Sequence, residues 1–371
     1  MEHRISKVNR KSNFELLRII AMILIIAHHF SLHGGFGVVQ SKPLINRIWI
    51  LWLQLGGKIG VNIFVLISGY FLVSSPAFKL KKVLKLWLQL FFYSIVIYAV
   101  FVGTGGVDFN FKQMVAKALP ILTQEWWFAS TYFILYLISP YLNMLSNKME
   151  KSTYQKLLFI MLFLWCIIPT FTNVKNQSND LIWFVYLYSI AGYIRLWGID
   201  FRIKNSIVWA VLGMIAILFV RIFFIGLSYK VTFFSAYVRN AFDMQNLLIL
   251  LTSVLFLIGF MQLDLGYKKI INLISSATFG VYLIHDHPLI RPFLWETLFK
   301  NASYAGSVFL IPYSIMVICV VYIVCTIIEL IRINVLEKRY LGLLDNCESS
   351  VESIKNKIKQ FYNAKIEKNR K

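Results

Sequence analysis

The sequence predicts an all-α fold, a polytopic transmembrane helix bundle of about ten spans with both termini cytoplasmic. Three observations carry this. Of the 371 residues, 58% are hydrophobic and 16% aromatic, and the mean hydropathy of +0.66 lies well outside the soluble globular range. The apolar residues fall in runs close to the roughly 20 residues that cross a hydrocarbon core. Lys and Arg gather in the short segments between alternate runs.

Taken in order, the predicted spans lie near 14–32, 59–75, 84–103, 126–145, 157–171, 181–199, 206–227, 246–263, 271–289 and 307–331. Ile45 to Leu55 and Phe111 to Leu122 are too short to cross and read as interfacial or re-entrant helices. With a cytoplasmic N-terminus, the inside segments hold about 26 Lys and Arg against about 10 outside, the positive-inside bias. The first run is too long for a signal-peptide core and no small-residue cleavage site follows it, so it is expected to remain as the first span. No internal repeat is visible. The chain divides into a transmembrane domain, 1–335, and a basic cytoplasmic tail, 336–371. In that tail Ile354, Ile358, Phe361, Tyr362 and Ile366 recur at helical spacing among lysines, as an amphipathic helix on anionic lipid or a solvated tail would require.

Composition also excludes. The net charge of +21 reads as loop bias, because a nucleic-acid surface presupposes a basic patch on a soluble domain. Cys166, Cys319, Cys325 and Cys347 show neither metal-site spacing nor a disulfide framework. There is no nucleophile elbow, no P-loop and no dinucleotide fingerprint, so any chemistry is built into the bundle.

The first span carries that chemistry best. Arg18 and the His28 and His29 pair are ionisable groups in an apolar run, where such groups are functional candidates by default. Eleven residues separate Arg18 from His29, which places them roughly 16 Å apart and within about 20° of one helix face. One groove can contact both. His29 suits general-base work, whereas His28 points about 100° away and either packs, caps or assists. Glu15 is one turn from Arg18 and is its nearest partner. If Glu15 leaves part of the guanidinium unsatisfied, Arg18 offers a donor fork to a phosphate, pyrophosphate or thioester carbonyl.

Other stretches add candidates. Ser68, Gly69 and Tyr70 sit late in the second span, where Gly69 is expected to bring the first two helices together around Arg18. Lys79, Lys81, Lys82 and Lys85 either anchor topology or hold the phosphates of a cytosolic cofactor. Glu125, Trp126, Trp127 and Phe128 open the fourth span as an aromatic belt or a sugar platform. His285, Asp286 and His287 end the ninth span, so that five of six histidines gather at the outer ends of two helices. No ligand spacing enforces a metal site among them, and none is expected.

Four stretches in order resemble the acyltransferase-3 family of membrane acyltransferases. The run FELLRIIAMILIIAHHF, with Arg18 and His29 separated by ten residues, resembles its first-helix signature. VNIFVLISGYFL resembles its second-helix motif, WWFASTYFILYLISP its Trp-Phe helix, and TFGVYLIHDHPLI its late helix ending in His. The resemblance covers roughly residues 12–332. It implies transfer of an acyl group, most often acetyl, from cytoplasmic acyl-CoA to a glycan hydroxyl at the outer face of a bacterial cytoplasmic membrane, with no tightly bound cofactor. Arg18 and His29 match the family's essential pair. His29 then serves as general base or transient acyl carrier, His285 orients it or binds the sugar, and Trp127 meets the glycan. A chain that stops after a short tail implies the stand-alone, polysaccharide-modifying type. Lys82 and Lys85 depart from the family's Arg-x-x-Arg and lack its bidentate fork. The competing class is a transporter or glycan-lipid flippase whose Arg18 and histidines line a permeation path, a class that commonly shows the repeats missing here.

Overall fold

Backbone in hydrocarbon must satisfy its own hydrogen bonds, which a helix does within its own segment. The computed structural model, which describes residues 11–37, 43–75, 80–174, 178–199 and 203–342, is helical wherever it is regular among those residues. In order, the α-helices are α1 (Ser12–Leu32), α2 (Leu44–Leu72), α3 (Leu80–Gly103), α4 (Phe111–Ala118), α5 (Trp127–Lys148), α6 (Lys151–Leu162) and α7 (Ile168–Thr172). They continue as α8 (Asp180–Trp197), α9 (Ser206–Ser228), α10 (Ser235–Asn240), α11 (Leu247–Met261), α12 (Lys269–Ser276), α13 (Thr278–His285), α14 (Ile290–Pro292) and α15 (Leu310–Arg332). A π turn, Phe163–Ile167, fuses α6 and α7 into one helix of 22 residues.

Seven helices among the described residues are long and apolar enough to cross a membrane. All ten predicted spans fall on helix, but three lie on shorter or less apolar elements: α8, α11, and a ninth span broken at Ala277 into α12 and α13. The expected interfacial helix at 111–122 is α4. The other one, Ile45 to Leu55, is not separate: it forms the first half of α2, a continuous helix of 29 residues. Gly56 and Gly57 resemble a break because glycine costs about 1 kcal/mol in a helix interior. Packing overrides that cost. A Cβ on Gly56 would lie 2.7 Å from the Leu24 carbonyl oxygen, one on Gly60 would lie 2.6 Å from that of Ala21, and one on Gly57 would run into the His28 ring. These glycines let α1 and α2 meet backbone to backbone.

Gly69 does not share that role. A Cβ there would lie 2.9 Å from the Tyr188 backbone, so it joins α2 to α8 instead of α1. Gly60→Val is expected to destabilise the protein by about 1–3 kcal/mol through overpacking, read as a lower thermal midpoint of the purified protein. Gly226→Ala, whose Cβ meets open space, is the neutral or slightly stabilising control.

Polar pins hold the bundle in register. Ser12 accepts from the Lys268 N–H at 2.7 Å and donates to Asn272 at 3.2 Å, while Asn13 donates to the Phe260 carbonyl at 2.7 Å, fixing the start of α1 on α11 and α12. On α2, Asn62 donates to the Met244 carbonyl and accepts from the Trp183 indole, both at 3.0 Å. In α5, Pro140 deprives the Tyr136 carbonyl of its helical donor, and the Ser139 hydroxyl supplies one at 2.8 Å. Phe159, Phe171, Trp209, Phe219 and Phe223 are exposed on the outer helices, where acyl chains make apolar exposure free of cost. Finally, α15 runs on helically past position 335 to Gly342. The tail residues from 343 onwards, with Cys347 and the expected amphipathic face, lie outside the described residues.

Candidate active site

The site forms where the far end of α1 meets the end of α13. His29 is 9% exposed, and His285 is fully buried. His285 Nδ1 lies 2.6 Å from the Val281 carbonyl, one turn back on α13, and His285 Nε2 lies 3.0 Å from His29 Nδ1. A carbonyl only accepts, so His285 Nδ1 carries the proton and, in the neutral ring, its Nε2 accepts. His29 Nδ1 must then donate. This leaves the lone pair of His29 on Nε2, the arrangement a base requires.

Asp286 completes the cluster. Its Oδ1 lies 3.4 Å from His29 Nδ1 and accepts from Arg291 Nε at 2.8 Å. A proton arriving on His29 thus meets a carboxylate whose own charge Arg291 balances. His287 turns the other way: its Nδ1 accepts the Leu289 N–H at 3.1 Å, and its Nε2 lies 3.3 Å from Glu125, which pairs with Lys117. With Trp126 edge-on to its ring, His287 ties the end of α13 to the start of α5. Glu125 is therefore a strut beside the aromatic belt.

Arg18 occupies the opposite end of α1. Its Nη1 donates to both Glu15 oxygens, at 2.8 and 3.0 Å, and Ser275 donates to Glu15 at 2.5 Å. Among the described residues nothing engages Nε or Nη2 of Arg18, whose side chain is 26% exposed. Glu15 satisfies it only in part. Two cavities lie along this axis. One, of about 240 Å³, is lined by His28, His29, His33, Lys58, Trp127 and Asp286 among others. The second, of about 200 Å³, is lined by Arg18, Ser68, Tyr132, Ser275, Ser276 and Thr278.

The other expected site residues divide. Ser68 lines the Arg18 cavity and donates to the Phe64 carbonyl at 2.8 Å. Tyr70 lines neither of these cavities: it stacks on Phe14 beneath Arg195. His28 reaches the Gln54 carbonyl at 2.7 Å through Nδ1 and packs on Gly57, although its ring also faces the cavity. Trp127 lines the His29 cavity with Lys58 over its face at 4.9 Å. Lys85 is ion-paired with Glu337, Lys82 is also engaged, and Lys79 lies outside the described residues. Sequence reasoning missed Lys58 and Arg291. Lys58 was detectable as a cation inside a glycine-rich apolar run.

His29, His33 and Asp286 bring ligand-capable atoms within 4.8 Å of one another. Of the atoms these residues offer, Asp286 Oδ1 is already taken by Arg291 and His29 Nδ1 by His285.

Helices long and apolar enough to cross a membrane thus surround a buried imidazole and carboxylate cluster, with a cavity towards each end of α1. The chain matches the acyltransferase-3 family profile, described as an acyltransferase domain, over residues 11–330 and belongs to that family. It is a multi-pass membrane acyltransferase. Comparison with curated proteins and with solved structures found no match.

Proposed function

We propose that the protein is a membrane O-acyltransferase that moves an acyl group, in the first instance acetyl, from cytoplasmic acyl-CoA to a hydroxyl of a cell-surface or exported polysaccharide, in a bacterial cytoplasmic membrane. One observation carries this reading. A single helix presents a partly satisfied arginine to one cavity and a histidine with a free Nε2 lone pair to another.

The donor enters on the Arg18 side, with its phosphates near the lysines that open α3. The free donors of Arg18 orient a phosphate, amide or thioester oxygen, and the hydroxyls of Ser68, Ser276 and Thr278 suit the amides of the pantetheine arm. On the other side, His29 Nε2 takes the proton of the acceptor hydroxyl as its oxygen attacks the thioester carbon. The new C–O bond forms, the C–S bond breaks, and the imidazolium returns its proton to the departing CoA thiolate. Asp286, 3.4 Å from Nδ1, stabilises the imidazolium between these events. His285 holds the ring in the required tautomer. Trp127 and Lys58 contact the glycan.

Arg18→Ala tests the reading. At matched membrane level it is expected to lower surface-glycan acylation about 10- to 100-fold, the worth of a charge-assisted hydrogen bond to the donor, with NMR of the isolated glycan as the measurement. Acylation unchanged from wild type would overturn it.

A further inference from the structure

The two cavities share three lining residues, and all three are phenylalanines: Phe64, Phe128 and Phe279. Their positions follow one rule on three helices. Along α2, Lys58 and Val61 line the His29 cavity and Ser68 the Arg18 cavity, with Phe64 between. Along α5, Trp127 belongs to the first and Tyr132 to the second, with Phe128 between. Along α12 and α13, Ser275 and Thr278 face the Arg18 cavity, Tyr282 and Asp286 the His29 cavity, and Phe279 lies between. On α1 the same level falls between Arg18 and Met22.

The rings touch as an arc. Phe64 meets Phe128 edge-on at 6.3 Å, Phe128 meets Tyr282 at 5.5 Å, and Tyr282 meets Phe279 at 6.4 Å. Phe128 is 6% exposed and braced by Phe184 and Tyr132, so it forms the fixed wall. Phe64 and Phe279 are only partly buried and form the adjustable rim. Both flanking cavities carry polar groups, whereas the three side chains they share are hydrocarbon alone.

We propose that Phe64, Phe128 and Phe279 form a collar that the thioester must pass to reach His29, and that this collar selects the acyl group by size. The inference rests on the acyl-CoA reading above. A donor held at Arg18 reaches His29, about 16 Å further along α1, only by extending its pantetheine arm through the collar with the acyl group leading. Each added methylene must then part the rings and be housed beside His29 and the acceptor in a cavity of about 240 Å³. The same apolar level keeps water on the Arg18 side away from the thioester at His29.

The test uses inverted membrane vesicles from a strain lacking the native gene and expressing the full-length protein. Radiolabelled acetyl-CoA and octanoyl-CoA are supplied in parallel, and label is counted in the precipitated polysaccharide of the same strain. Wild type is expected to favour acetyl at least 10-fold, and Phe64→Ala and Phe279→Ala to lower that ratio about 10-fold. Because both donors are compared on one preparation, the ratio does not depend on how much protein folds. Phe64→Leu and Phe279→Leu provide milder openings, and Phe219→Ala, on the exposed face of α9, should keep the wild-type ratio. Wild-type transfer with an unaltered ratio in all four collar variants would overturn the collar alone. Absence of label from both donors in wild type would overturn the acyl-CoA reading, and the collar with it.

Discussion

His29→Ala is expected to lower acyl transfer to the polysaccharide about 10²–10⁴-fold, the contribution typical of a positioned general base. The alanine removes the Nε2 lone pair and leaves His285 Nε2 facing a cavity that water can enter, so the loss falls on chemistry more than on folding. His285→Ala should cost less, because His29 keeps its own lone pair and retains Asp286 at 3.4 Å to orient the ring. Label counting in the vesicle assay, normalised to protein in the membrane, measures both variants. A His29→Ala protein with more than half of wild-type transfer would remove His29 from the reaction. Quenching wild type with labelled donor and no acceptor separates the two roles open to the ring, since only an acyl carrier would retain label on the protein.

That Arg18 and His29 lie towards opposite ends of one helix was legible because a helix of fixed rise turns residue spacing into distance, whereas in place of the single groove expected to contact both, the structure sets them on two cavities. The end of the ninth span was legible too, since Pro288 follows Asp286 and His287 and the α-helix stops at His285. What the sequence hid was tertiary. Gly56 and Gly57 signal a break to any local rule, yet their lack of a Cβ is what lets α2 continue against α1. Gly69 looked like the same device for the same pair of helices, but nothing local distinguishes a glycine facing α1 from one facing α8. Arg291 lies outside the predicted spans and gains meaning only through Asp286, which the turn after α13 brings to it. The collar was equally invisible, because three phenylalanines among 31 acquire a common level only when three helices are set side by side.

The second large effect concerns a cluster remote from the imidazoles. Glu329 on α15 is 1% exposed and accepts four hydrogen bonds: from Gln89 at 2.9 Å, Tyr93 at 2.5 Å, and Arg332 through Nε at 2.7 Å and Nη2 at 2.8 Å. Arg332 also binds Glu337, which pairs with Lys85, so two carboxylates and two cations close on themselves between α3 and the end of α15. Glu329→Ala strands Arg332 with half its partners and is expected to destabilise the protein by about 3–5 kcal/mol, the usual cost of breaking a buried pair on one side. The thermal midpoint of the purified protein measures this. Glu329→Met combined with Arg332→Met should recover part of the loss, because two apolar groups of similar volume remove the stranded guanidinium while Glu337 keeps Lys85 as its partner.

This strut also reaches the active site. Gly280 on α13 faces the Glu329 carboxylate so closely that a Cβ would overlap it, and His285 follows five residues later on the same helix. Gly280→Ala should therefore push α13 off α15, whereas in the Glu329→Ala background the same methyl fills vacated space. The two substitutions are expected to be non-additive in stability, as residues in direct contact are. If α13 positions His285 by leaning on Glu329, Gly280→Ala lowers kcat for transfer beyond the fraction of protein that unfolds, and Glu329→Ala restores part of it. Purely additive losses, with kcat per folded molecule unchanged, would reduce the Glu329 cluster to a structural clamp with no influence on the histidines.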